Sequence, residues 1–94
     1  MNIKMELHPD VAWYVRHRCN QDEQTEFFRQ LELIHAEPIR HSEATVDARL
    51  SRYVLRFFRF GDNIAIFEFD ARHSRVRVLE CRRLLSGKRP RAGP

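Results

Sequence analysis

The stretch Tyr53-Val54-Leu55-Arg56-Phe57-Phe58-Arg59-Phe60-Gly61-Asp62-Asn63-Ile64-Ala65-Ile66-Phe67-Glu68-Phe69 decides the fold. Its two flanks are aromatic and β-branched, the residue types that fit a pleated, half-buried surface, and Gly61-Asp62-Asn63 between them supplies turn residues. The reading is a β-hairpin. Downstream, Asp70 to Ser74 forms a loop, and Arg75-Val76-Arg77-Val78-Leu79-Glu80-Cys81-Arg82 alternates so that Val76 and Val78 take one face and Arg75 and Arg77 the other. A third strand then completes an antiparallel meander over residues 52 to 83. Upstream, Asn2 to Leu7 alternates polar with apolar residues and predicts a first strand. His8-Pro9-Asp10 opens a helix that ends near Asn20, because Pro suits a first helical turn and an acid there meets the positive end of the helix dipole. Asp22 is read as the cap of a second helix. Its apolar stripe is Phe27, Phe28, Leu31 and Ile34, with Glu23, Glu26, Arg29, Gln30 and Glu32 largely on the opposite side. Pro38 and the polar stretch to Asp47 form a connector, with a further turn over Val46 to Leu50. The fold class is therefore α+β: an N-terminal strand, a two-helix antiparallel hairpin, and a three-stranded antiparallel meander with the helices packed on one sheet face.

Ninety-four residues, 43% of them hydrophobic, suffice for one domain, assigned to residues 1–85. The tail, residues 86–94, is basic and has too little apolar surface to repay its ordering entropy, so it is expected to be mobile. No apolar run approaches the ~20 residues of a membrane span, and the N-terminus has no signal-like apolar core, so no membrane partner and a cytoplasmic location are expected. Cys19 and Cys81 are too few for a disulfide framework or a zinc site and read as small buried hydrophobes. No metal or other cofactor is expected.

The net charge of +4 is unevenly spread. Residues 1–47 hold five basic against nine acidic side chains, whereas residues 48–94 hold twelve against four. Fifteen of the 17 basic residues are Arg, whose fork pairs with phosphate or carboxylate in a bidentate way. Arg49, Arg52, Arg75 and Arg77 are the candidate nucleic-acid-binding residues, and with Arg56, Arg59, Arg82 and Arg83 they come from neighbouring strands that could converge on a positive surface. An acidic protein is the competing partner for the same surface. Phe57, Phe58, Phe67 and Phe69 read as core in preference to base-stacking platforms.

The residues Leu50, Tyr53, Leu55, Arg56, Arg59-Phe60-Gly61-Asp62, Ile66-Phe67 and Val76-Arg77-Val78-Leu79, in this element order and chain length, resemble the RelE/ParE superfamily of toxins from bacterial toxin-antitoxin pairs. The resemblance implies an acidic antitoxin partner. It also implies either a metal-independent mRNA endonuclease that meets its message on the ribosome and inhibits translation, or a non-catalytic toxin-fold protein that binds a protein partner, as the gyrase-directed ParE branch does, or nucleic acid. In the ribonuclease members a few Arg, Lys, His or Tyr groups on the sheet hold the phosphate and move protons. Where such toxins carry Arg and Tyr after the hairpin turn, this chain has Ile64 and Phe67. Arg56, Arg59, Arg82 and Arg83 are then the candidate catalytic residues, as a phosphate clamp. Cleaving RNA without a metal also needs a base and an acid. His73, Glu68 and Glu80 are the candidate carriers in the basic half, and a loop histidine and cross-strand ion pairs are their plainer readings. His8, His17, His35 and His41 receive no role.

Overall fold

In the computed structural model the described residues are 2–44 and 54–84. The elements run β1 (Lys4–Leu7), α1 (Pro9–Arg18), α2 (Gln21–Ala36), β2 (Glu43–Ala44), β3 (Val54–Phe60), β4 (Asn63–Asp70), a 3-10 turn (Ala71–His73) and β5 (Arg75–Arg83). They form a five-stranded sheet in the order β1-β5-β4-β3-β2, antiparallel throughout except that β1 runs parallel to β5. The expected strand, helix pair and meander are all present. The two-residue β2 is an addition, lying inside the stretch read as a connector. The turn expected over Val46 to Leu50 and the tail 86–94 lie outside the described residues.

Both helices cover the same sheet face. Phe27 of α2 meets Phe60 at 5.0 Å between ring centroids and Phe58 at 5.9 Å, and Val11 and Val15 of α1 join Val76, Val78, Ala65 and Phe67 in one buried cluster. Cross-strand partners share a face, so the register assigns the rest. Arg56, Phe58 and Phe60 pair with Phe67, Ala65 and Asn63, and Asn63 pairs on with Arg83; all lie on the helix-covered side. On the open side, Leu55, Phe57 and Arg59 pair with Glu68, Ile66 and Ile64. One irregularity, at Ile66/Phe67, leaves Leu79 as an extra residue in β5, since Phe67 faces Val78 while Ile66 faces Glu80. The bulge resets the alternation of β5, which places Cys81 and Arg83 on the helix side and Glu80 and Arg82 on the open side.

Three sequence expectations are corrected. The cap of α2 is Asn20, not Asp22: the Asn20 side chain accepts from the Glu23 N–H at 2.8 Å, and Glu23 returns the bond by accepting from the Asn20 N–H at 2.9 Å. Asn20 heads an Asn-x-x-Glu capping box, which satisfies two groups at once where Asp22 would satisfy one. Phe28, counted in the apolar stripe, is 53% exposed, while Phe27 and Ile34 are buried, because Phe27 alone points down the axis that meets β3. Glu23, placed among the outward residues, turns inward to the hairpin turn.

Candidate functional site

A polar network ties the helix pair to the hairpin at the end of the sheet nearest the turn. Asn63 is fully buried; its amide donates to Glu23 Oε2 at 3.0 Å and to the Phe60 carbonyl at 3.1 Å, and its oxygen accepts from the Tyr14 hydroxyl at 2.6 Å. Arg83 donates to Glu23 Oε2 at 2.9 Å and to the Arg18 carbonyl at 2.8 Å. The Asn20 N–H, followed by Arg83 and Asn63, holds the Glu23 carboxyl below its ordinary value. Burial pushes the Tyr14 hydroxyl up, and the hydrogen bond to Glu23 raises Arg83. Sequence reasoning missed Tyr14, Glu23 and Asn63 as a unit; the Asn-x-x-Glu spacing was the one legible signal.

The four candidate catalytic arginines divide between the two faces. Arg83 belongs to the network just described. Arg56 donates through Nε to the Ser42 hydroxyl and through Nη2 to the carbonyls of Ser42 at 2.9 Å and Ile39 at 3.3 Å, pinning the loop after α2. Both are on the helix side, so the expected four-arginine clamp is not assembled. The cause is strand alternation: positions 56 and 59 are three apart and positions 82 and 83 are adjacent, so each pair splits between the faces, and the bulge at Leu79 decides which of Arg82 and Arg83 takes which face. Arg59 and Arg82 do come together, as the two ends of one open-face row, Arg59–Ile64–Arg82.

The open face has an apolar centre and a charged rim. Leu55, Phe57, Ile64 and Ile66 are half-buried neighbours at its middle. Around them Arg82 is bonded to Glu80, which raises the guanidinium further. Arg77 lies 3.3 Å from Glu6 and 3.6 Å from Glu68. Arg75 lies 3.7 Å from Asp70. Arg59 is exposed and has no partner among the described residues. The expected convergence into a positive surface is therefore offset, cation by cation, by carboxylates. Arg49 and Arg52 lie outside the described residues.

The proton carriers are either engaged by arginines or remote from the Arg59–Arg82 row. Glu68 and Glu80 are both engaged with arginines. His73 donates or accepts at Nδ1 with Asp70 Oδ2 at 2.8 Å, and this bond holds the Asp70 carboxyl below its ordinary value. The pair caps the 3-10 turn, Asp70 also accepting from the His73 N–H at 3.3 Å. Six residues of strand, about 20 Å, separate that end of β4 from Ile64. Phe67, at the position where the resembled toxins carry Tyr, is fully buried beneath the helices. Cys19 is buried and Cys81 packs against the same core, where burial pushes its thiol up to about 12. Among the described residues no group of three His, Cys, Asp or Glu is placed to hold a metal ion, and no helix is long and apolar enough to cross a membrane.

No family model matches the chain, and no curated protein sequence matches it. Among solved structures, it is similar to a chain of the archaeal RelE-RelB complex from Pyrococcus horikoshii OT3, with a TM-score of 0.70 over 88% of this chain and 96% of that one, at 17% identity. The fold is RelE-like.

Proposed function

We propose that this chain is the toxin of a toxin-antitoxin pair and that it acts by binding a protein through its open sheet face, without cutting RNA. The observation that carries the reading is the make-up of that face: Leu55, Phe57, Ile64 and Ile66 at the centre, with the paired charges Arg82–Glu80 and Arg77–Glu68 at the rim. Apolar centre and polar rim are the anatomy of a protein interface. A surface built for RNA would instead leave its cations unpaired, since phosphate neutralisation is what drives such binding. The neighbouring structure is a complex of RelE with RelB, which supports a partner protein of the antitoxin kind here as well. An acidic partner suits a chain of net charge +4.

One observation favours the ribonuclease alternative. Arg59 and Arg82 flank Ile64 across three strands, roughly two strand spacings or about 10 Å apart at the backbone, so both long side chains start from positions within reach of one phosphate. Expression in bacteria combined with primer extension on a translated message distinguishes the two. The expected result is growth arrest with intact message, relieved by a charge-reversing Arg82→Glu substitution at the rim. Message cleavage that disappears in an Arg59→Ala/Arg82→Ala double variant would establish the ribonuclease instead, with mRNA on the ribosome as the substrate. Absence of growth arrest would remove the toxin reading altogether.

A further inference from the structure

The short β2 leaves a notch at the sheet edge. It pairs only with Arg56 and Phe57, so β3 beyond Phe57 has no outer neighbour among the described residues. The notch is an open groove of about 350 Å³ and, among the described residues, is lined by Gln30 of α2, by the loop residues Arg40, His41 and Ser42 with Glu43, and by Phe57, Phe58 and Arg59 of β3. That volume falls in the range of small-molecule sites, roughly 300 to 1,000 Å³.

Three features make the notch more than a surface dent. The loop that forms one wall is held in place: Arg56 grips the Ser42 hydroxyl and the Ser42 and Ile39 carbonyls, and Ser42 in turn donates to the Pro38 carbonyl. A rigid wall presents its side chains without a large ordering cost. Two guanidinium groups line the same space. Among the described residues Arg59 has no partner and Arg40 has only Glu37, at 3.6 Å in an exposed pair of little strength. His41 adds a polar ring, the Gln30 amide is held by Glu26 at 2.9 Å, and among the described lining residues the one carboxylate is Glu43, on an exposed two-residue strand. Finally, the wall contributed by Phe57 is aromatic and half-buried, a face on which a base stacks without regard to sequence.

We propose that this notch binds a nucleoside monophosphate, its phosphate held between Arg40 and Arg59 with His41 alongside, and its base against Phe57. Bidentate guanidinium contacts from two sides match the three oxygens of a phosphomonoester. The site shares Phe57 with the apolar centre of the open face and Arg59 with its rim, but the phosphate-binding proposal does not rest on the toxin reading.

The test is an NMR titration of the isotope-labelled full chain with adenosine 5′-monophosphate, and in parallel with adenosine and with sodium chloride at matched ionic strength. The expected result is saturable shifts at residues 40–43 and 57–59 with the nucleotide, absent with chloride and weak with adenosine. Arg40→Gln and Arg59→Gln should each weaken binding about tenfold, whereas Arg72→Gln, an exposed site elsewhere with the same loss of charge, should leave it unchanged. The dispersion of the same spectra verifies that each variant is folded. Equal shifts with nucleotide and adenosine, equal effects of the Arg40 and Arg72 substitutions, or no shift at these residues would each overturn the proposal.

Discussion

Asn63 carries two donors and an acceptor into a position with no solvent exposure, and every one of its polar atoms finds a partner in Tyr14, Glu23 or the Phe60 carbonyl. A buried amide left unsatisfied costs its full desolvation, whereas a satisfied one is close to neutral. Tyr14→Phe removes a single hydroxyl and leaves the Asn63 oxygen bare, so it should destabilise the chain by about 1 to 3 kcal/mol in urea melts. A loss near zero would mean that the contact contributes no net stability. The same network sets a pH dependence. The Glu23 carboxyl titrates below its ordinary value of 4.5 in the folded chain, so the unfolded chain binds the extra proton and stability rises with pH through that region. Stability from this group is present above about pH 4.5 and is lost as the pH falls toward the lowered folded value. Denaturant midpoints measured from pH 6 to 3 should therefore fall more steeply for the natural chain than for Glu23→Gln, and parallel curves would contradict the assignment. The Cys81 thiol, pushed up to about 12 by burial, stays protonated under the same conditions and takes no part.

Elements follow from the residues at their ends as much as from their stripes. The capping box Asn20–Glu23 starts α2 and also aims Glu23 at the hairpin turn, where a Cβ on Gly61 would sit 3.1 Å from Glu23 Cγ. Gly61 has φ of +59°, a conformation that costs an L side chain about 1 to 2 kcal/mol, so the turn needs glycine on both counts. Asn20→Ala should cost about 1 kcal/mol, and Asp22→Ala only the few tenths expected of a dipole contact on an exposed first turn. Thermal melts giving equal losses for the two would restore Asp22 as the cap. Much at this scale was legible in the sequence. The hairpin, the alternation of Val76 and Val78 with Arg75 and Arg77, and Phe27 and Ile34 as buried positions all follow from period and turn chemistry. Three things were not. A stripe of four apolar residues does not say which of Phe27 and Phe28 meets the sheet, because that depends on the angle at which α2 crosses β3. The bulge at Leu79 has no compositional mark, yet it decides the faces of Arg82 and Arg83. The parallel docking of β1 on β5 is a long-range pairing, with no local signal beyond the alternation of β1 itself.

At the scale of the whole chain, the clustering of arginine in the second half was legible, but its neutralisation was not. Lys4, Arg75, Arg77 and Arg82 each lie within 4 Å of a carboxylate, several of them supplied by the acidic first half or by neighbouring strands. A charge count along the sequence cannot register the pairing of Arg75 and Arg77, which exists only once β1 has docked on β5 and β4 between its neighbours, whereas Lys4–Glu6 and Arg82–Glu80 are formed within single strands. The consequence is specific for binding to nucleic acid. A cation already matched by a carboxylate gives little on meeting a phosphate, because it must first lose its partner, whereas an unmatched one releases a counterion from the polymer. Arg59 is the unmatched arginine of the open face among the described residues, so it should dominate whatever affinity that face has for RNA. With single-stranded RNA, each phosphate contact contributes about 0.7 to the slope of log affinity against log salt. Arg59→Gln should therefore flatten that slope by about this amount, and Arg77→Gln, which also frees Glu6 and Glu68 to repel the strand, should weaken binding without flattening it comparably. Fluorescence anisotropy at several salt concentrations measures both. Equal flattening by the two substitutions would show that Arg77 leaves its carboxylates to contact phosphate, and the open face would then have to be read as a nucleic-acid surface in place of a protein one.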